Sequence, residues 1–439
     1  MIRAFQERYG CAADFDRFQI AEPLAPERGY FRFGDTGLLF GCTAPGLSHP
    51  DPRSAAASAP LQATRLPGGW SLPFDPDDTA LAMRTEAHHT RGGDAGGPGG
   101  PGLLRRGYYA VRPWLPVGVR RHAQRFWMRD WKSLPFPRWP VDSSVDEMME
   151  DLLALASQDA PGGRAPVVPF WPDGHRACLI LTHDVETAAG RDWVPALMDL
   201  DAAHGFRSSF ELIPERRYEV PAGLLDEIRA RGFEVNLHGL YHDGRLFDEH
   251  GEFLRRAARI NEIARAWGAR GFRAPVAYRR LDWFGALDAF DYDMSVPNSG
   301  RLEAQRGGCC TVFPWFLGHL VELPLTTVQD YALINILGTP TLDIWKEQVA
   351  AIIARGGLIS FVLHPDYVQS GAGRRLLDQF LPWMRGVCDR ERVWCALPRD
   401  AADWWRHRAG LSHGQGMARS RAAHGEAPGA RCDPSLFSP

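Results

Sequence analysis

The sequence predicts an α/β fold, a distorted (β/α) barrel with about seven parallel strands, on three observations. Short apolar runs alternate with helical patterns from about residue 165 to 405, the rhythm of parallel βα units. Seven or eight such runs occur, which favours a barrel over an open sheet. Three of them lead directly into acid or imidazole side chains, and the C-terminal strand ends of such barrels are where reactive side chains collect.

Taken in order, residues 1–83 read as a small β-rich unit. The signal is Tyr30-Phe31-Arg32-Phe33-Gly34-Asp35-Thr36-Gly37-Leu38-Leu39-Phe40-Gly41. Two apolar-aromatic runs flank a Gly-Asp-Thr-Gly turn, the pattern of a β-hairpin. Residues 84–102 read as a linker, because Arg91 to Gly102 is too rich in Gly and Pro to pack a core. Residues 103–164 read as a basic-aromatic helical connector. In it Arg105, Arg106, Arg112, Arg120, Arg121, Arg125 and Arg129 interleave with Tyr108, Tyr109, Trp114, Phe126, Trp127 and Trp131. Pro113 and Pro116 exclude a helix before Val119. A basic face with aromatics suits an anionic interface, so residues 103–132 are a candidate peripheral contact with a membrane surface or a lipid-linked substrate. The plainer alternative is an amphipathic helix burying its aromatics on the neighbouring domain. Leu134 to Asp142, with prolines at 135, 137 and 140, reads as extended.

Residues 165–409 carry the barrel pattern. Candidate strands are Ala177–Leu181, Ser208–Ile213, Phe233–Leu237, Gly271–Arg273, Tyr292–Ser295, His319–Leu325 and Leu358–Leu363, with a shorter one at Arg392–Ala396. Helical patterns fall at Ala222–Arg231, Glu252–Trp267, Leu342–Ala354 and Arg374–Arg385. Residues 410–439, rich in Gly, Ala, Ser and Arg, read as a disordered tail.

Composition excludes some classes. The 439 residues carry a formal net charge of −3, so no global field draws nucleic acid. No apolar stretch reaches the roughly 18 residues of a membrane span. The start, Met1-Ile2-Arg3-Ala4-Phe5-Gln6-Glu7-Arg8, lacks the basic and apolar blocks of a secretory signal. The cytoplasm is therefore the expected compartment. The eight cysteines show no C-x-x-C pair and Cys309 and Cys310 are adjacent, which fits reduced structural thiols.

The chemistry sits at three strand ends: Thr182-His183-Asp184-Val185-Glu186, His238-Gly239-Leu240-Tyr241-His242 and Phe361-Val362-Leu363-His364. Four-residue spacing puts His238 and His242 on one side of a turn, within reach of one metal ion. Gly239 inside the motif points to a tight loop rather than a regular helix. Asp184 and Glu186 after a buried strand are costly unless a metal, a cation or water compensates them. One can complete a His-His-carboxylate site, and the other can act as general base on a water. His364, after the most apolar strand, can protonate a leaving group. Arg273, in Phe272-Arg273-Ala274-Pro275, can pair with the base and fix its charge. Trp283, Tyr278 and Tyr367 can stack on a sugar ring or pack the rim.

These segments, in this order and spacing, resemble the polysaccharide deacetylases, the carbohydrate esterases with the NodB-homology domain, over roughly residues 176–405. The resemblance implies a distorted (β/α) barrel, a divalent metal (zinc above all) and removal of N-acetyl, sometimes O-acetyl or formyl, groups from amino sugars. It implies that His238 and His242 bind the metal, Asp184 is the general base, Arg273 holds that base and His364 is the general acid. The family's metal-binding aspartate falls at Val185, so the ligand role passes to Glu186 in a D-x-E form; the alternative makes Asp184 the ligand and leaves the base open. Gly239 stands where the family often has serine or threonine, and His183 where phenylalanine is commoner. The family's acidic partner of the late histidine is matched by Asp291, Asp293 or Asp330, with Asp293 preferred.

The expected function is thus metal-dependent removal of an N-acetyl or similar acyl group from an amino-sugar glycan or glycan precursor. The missing signal favours a lipid-linked or nucleotide-linked precursor as substrate. The alternatives are an O-acetyl esterase, another small-amide hydrolase, or an inactive glycan-binding barrel.

Overall fold

The computed structural model describes residues 2–10, 17–90, 126, 128–160, 163, 165 and 167–410. The expected Gly/Pro linker, most of the basic-aromatic stretch with its membrane-facing reading, and the expected disordered tail lie outside the described residues, apart from a few at their edges.

Strands β1 (Phe18–Ile20), β2 (Gly29–Arg32), β3 (Leu38–Gly41), β4 (Thr64–Leu66) and β5 (Gly69–Leu72) form two small sheets in the N-terminal region. β2 and β3 pair antiparallel across the Gly-Asp-Thr-Gly turn. The Thr36 hydroxyl turns back onto the Phe33 carbonyl there. The helix Ser144–Gln158 closes this unit rather than spacing it from the barrel. Its Val145, Met148, Met149 and Leu152 share one core with Phe31, Phe33, Phe40 and Phe74.

The main sheet holds β6 (Ala177–Val185), β7 (Ser209–Leu212), β8 (Glu234–Leu237), β9 (Gly271–Phe272), β10 (Tyr292–Asp293), β11 (Trp315–Leu317), β12 (Leu320–Glu322), β13 (Leu358–Leu363) and β14 (Val393–Ala396). Its order is β11-β12-β10-β9-β8-β7-β6-β13, with β14 added to β6. All pairs are parallel except β11 with β12. This is the expected distorted (β/α) barrel, opened at one seam. The expected eight strands all occur, most of them shortened, and β11 joins them. It was not legible because three residues are too few to show alternation.

The seam lies between β13 and the end of the sheet formed by β11, β12 and the segment that follows them. Side-chain hydroxyls cross it where a backbone ladder would otherwise run. The Thr326 hydroxyl donates to the Leu358 carbonyl at 2.8 Å and accepts from the Ser360 amide at 2.9 Å, and the Thr327 hydroxyl donates to the Ser360 carbonyl at 2.7 Å.

β6 is the axis of the fold. All nine of its residues are buried, as a central parallel strand requires. β13 lies along one edge, while β14 and β7 share the other. Alternation along this strand sets Asp184 and His183 on opposite faces. The barrel interior is polar, and several of its groups pair with one another. Tyr292 donates to Glu234 at 2.5 Å, Asn236 donates to Tyr292 at 2.8 Å, and Ser209 donates to Glu211 at 2.5 Å. Gly271 is required there, since a Cβ would stand 2.3 Å from the Tyr292 ring.

Candidate active site

The C-terminal ends of β6, β8, β9 and β13 bring six chemically active side chains together: Asp184, Glu186, His238, His242, Arg273 and His364. Asp184 leaves β6 one residue before its end and meets Arg273, which follows β9. Arg273 Nη1 donates to Asp184 Oδ1 at 2.6 Å and to the Thr182 hydroxyl at 2.8 Å, and its Nε donates to the Met294 carbonyl at 3.0 Å. Both partners are buried. Burial pushes the Asp184 carboxyl up, but the Arg273 guanidinium, helped by His238 and His364, outweighs it and holds the group below the usual carboxylate range.

Glu186 lies in the turn that follows β6. The Asp366 carboxylate holds this turn by accepting from the Glu186 amide at 3.0 Å and from the Thr187 hydroxyl. Glu186 Oε1 stands 2.9 Å from His242 Nε2. Burial pushes this carboxyl up too, and the imidazoles around it, His242 foremost, drive it well below its ordinary value.

His238 and His242 follow β8 in a loop with two left-handed residues, Gly239 at φ +65° and His242 at φ +51°. Their rings lie 4.9 Å apart. His238 Nδ1 meets the Arg273 carbonyl at 3.2 Å. A proton on Nδ1 satisfies that contact and leaves Nε2 with a free lone pair, 3.6 Å from Asp184 Oδ2. Burial pushes the His238 imidazole down to about 4, so the ring is neutral at physiological pH, as a metal ligand must be.

The donor set fits a divalent cation. One ligand atom from each of Glu186, His238 and His242 lies within 4.8 Å of the others. His242 Nδ1 is buried without a hydrogen-bond partner among the described residues, a costly arrangement unless another group completes it. Two imidazoles and a carboxylate match zinc and similar borderline ions.

His364 follows β13 and faces both acids, with Nε2 3.9 Å from Glu186 Oε1 and 4.0 Å from Asp184 Oδ2. Its Nδ1 is 2.6 Å from Asp330 Oδ1, and its amide donates to Asp330 Oδ2 at 2.8 Å. Burial pushes the His364 ring down, but Asp330 and the two facing acids outweigh it and raise it to about 10.

The expectation that Asp293 pairs with His364 is corrected: that partner is Asp330. Asp293 accepts instead from the Ser295 amide at 2.9 Å and hydroxyl at 2.7 Å. Burial and its close neighbour Glu322 commit it to the barrel interior. Asp291 pairs with Arg270. His183, on the opposite face of β6, contacts Asp201 at 2.8 Å and takes no part in the cluster. Of the three aromatics, Tyr367 lies against His364, with ring centres 5.3 Å apart. Trp283 packs on Phe253 and Tyr278 belongs to the same apolar cluster.

Two contributors went unread in the sequence. Glu211 Oε2 stands 3.7 Å from Arg273 Nη1, placing a second acid on the arginine that holds Asp184. Asp366, two residues past His364, clamps the Glu186 turn; its only signal was an acid at the start of a short helix.

No protein-family model and no curated protein sequence matches the chain. Solved structures do. One from Mycobacterium smegmatis assigned as a polysaccharide deacetylase is 20% identical, with a TM-score of 0.42 over 54% of this chain and 92% of that one. The Puue allantoinase is 15% identical, with a TM-score of 0.40 over 62% and 97%. A family 4 carbohydrate esterase from Streptomyces lividans, in complex with acetate, is 11% identical, with a TM-score of 0.32 over 51% and 93%. A likeness at this level assigns neither family nor activity to this chain.

Proposed function

We propose that the chain is a metal-dependent hydrolase that removes an N-acetyl or similar acyl group from an amino sugar within a glycan or glycan precursor. The observation that carries the reading is the convergence of three groups. The Glu186, His238 and His242 donors lie within 4.8 Å of one another. Asp184, fixed by Arg273, stands on one side, and His364, fixed by Asp330, on the other.

Glu186, His238 and His242 would hold the metal, which supplies Lewis-acid polarisation of the acyl carbonyl and activation of water. Asp184, kept ionised by Arg273, takes a proton from the attacking water. His364 carries its proton on Nε2, facing both acids, and delivers it to the leaving nitrogen. Asp330 keeps that ring in one orientation, as a carboxylate behind an imidazole does in general acid–base sites. Arg273 also limits the charge on this wall, since it faces both Asp184 and Glu211.

The test is metal content by mass spectrometry, beside the His238→Ala/His242→Ala variant. The expected result is about one divalent ion per chain, lost in the variant, with acetate and a free amine released from N-acetylated amino sugars. Absence of metal after reconstitution sinks the reading. Release of an alcohol in place of an amine moves it to an O-acyl esterase on the same scaffold.

A further inference from the structure

The N-terminal region reaches the loop beside the candidate site through a buried ion pair. Glu86 follows the helix Pro76–Arg84 and its Thr85 cap. Arg279 lies on the loop that follows β9 and Arg273. Arg279 Nε donates to Glu86 Oε2 at 2.6 Å, and Arg279 Nη2 donates to Glu86 Oε1. Both side chains are buried. This two-pronged contact is the geometry in which arginine holds a carboxylate most firmly. The remaining nitrogen, Arg279 Nη1, donates to the Ala277 carbonyl at 2.6 Å.

The backbone is strained at both ends of the pair. Glu86 sits at φ +60°, and Val276 and Ala277 sit at φ +61° and +52°. Side chains disfavour this left-handed region, a β-branched valine most of all. A helix often ends on such a residue, but glycine or asparagine is the usual occupant. Strained residues persist where surrounding contacts over-determine them. Here the Ala277 amide donates to the Ala274 carbonyl and the Tyr278 amide to the Pro275 carbonyl, both at 3.2 Å. Gln305 and the Arg279 backbone bond each other at 2.9 and 3.2 Å. The same loop carries parts of the site. The Arg273 carbonyl meets His238 Nδ1 at 3.2 Å, the Arg273 guanidinium holds Asp184, and Pro275 packs against the Gly239 backbone.

We propose that Glu86 and Arg279 are a positioning pair: through them the N-terminal unit holds the strained residues 274–279 in the shape that presents Arg273 and Pro275 to the metal-type cluster. Neither residue touches metal or substrate; both act through the seating of His238 and Asp184. The proposal rests on the hydrolase reading for its metal, and goes beyond it in giving the N-terminal unit a part in the site.

The experiment compares wild type with three variants. Glu86→Gln breaks the pair. Glu86→Leu/Arg279→Met removes both charges and leaves neither one buried alone. Leu39→Ala thins the core of the same unit and keeps the pair. Zinc affinity is read by titration of the chelator-stripped proteins. Hydrogen exchange of the amides in residues 273–279 is read by mass spectrometry. Both are measured well below each melting temperature. The expected result is zinc affinity lowered by about 10-fold or more in both pair variants, the scale of losing an orienting contact around a metal ligand. Exchange in residues 273–279 rises by about 10-fold in the same two proteins, as local opening becomes easier. Leu39→Ala lowers the melting temperature and changes neither readout. A merely structural role would lower melting temperatures and leave zinc affinity unchanged, which overturns the proposal. Equal loss of affinity in Leu39→Ala overturns it too. If wild type binds no divalent ion after reconstitution, the hydrolase reading fails. Faster exchange confined to the pair variants then still supports the positioning pair, and unchanged exchange overturns it.

Discussion

Gly239 and Pro275 approach so closely that a Cβ on Gly239 would stand 2.3 Å from Pro275 Cγ. Gly239 also sits at φ +65°, where a side chain costs roughly 1–2 kcal/mol. The loop that carries the first imidazole of the metal-type cluster is thus packed, at the Gly239 backbone, against the Pro275 ring of the next strand-end loop. That contact leaves no room for the serine or threonine that the resembled family often carries at this position.

Gly239→Ala is therefore expected to displace the His238–His242 loop and to lower divalent-metal affinity by about 10-fold or more, as loss of an orienting contact does. Metal titration of the chelator-stripped variant checks it. Unchanged affinity would mean the loop is not seated by this contact.

Asp184→Asn keeps shape but removes the proton acceptor. Turnover on N-acetylated amino sugars should fall by at least about 100-fold, the scale of positioned acid–base catalysis. Steady-state kinetics on the metal-loaded variant checks it, and near wild-type turnover would reject Asp184 as the base.

Asp330→Asn tests the hydrogen bond behind His364. An amide needs a proton on its leaving nitrogen, whereas 4-nitrophenolate departs without one. Amide turnover should drop by about 100-fold while 4-nitrophenyl acetate hydrolysis stays within a few-fold. Equal losses on both substrates would place Asp330 in folding rather than proton delivery.

His88 predicts a pH effect on stability. It is buried in the N-terminal unit against Phe136, with both ring nitrogens lacking hydrogen-bond partners among the described residues. Burial, with the nearby His89 and Arg279 charges, pushes it down to about 3. The unfolded ring binds its proton near pH 6.5, so between about pH 6.5 and 3 the unfolded chain carries more protons. Stability then rises with pH in that window and is lost as pH falls. His88→Phe should lose less thermal stability than wild type between pH 7 and 4, read from melting temperatures. Parallel curves would exclude His88 as a contributor.

What the sequence made legible was local. Asp184, Glu186, His238, His242 and His364 each follow a recognisable apolar run, and strand periodicity alone puts them at one end of the barrel. Alternation also separates His183 from Asp184, a consequence visible once β6 is known to run through Val185. What escaped was set by closure of the fold. Asp293 and Asp330 both precede His364 in sequence near strand ends. Only the path of the chain across the seam decides that Asp330 reaches the ring. The sharing of the helix Ser144–Gln158 with sheets 70 to 140 residues earlier was equally hidden, because an amphipathic face does not name its partner.

The open seam has a consequence for how this barrel opens and closes. Its crossings come in sequence along one line: Thr326 to Leu358 and Ser360, Thr327 to Ser360, then Asp330 to His364. The carboxylate–imidazole contact is the last stitch of that line. Parting the two edges would also part Asp330 from His364, so closure of the barrel and the hold on the proton donor depend on one line of contacts.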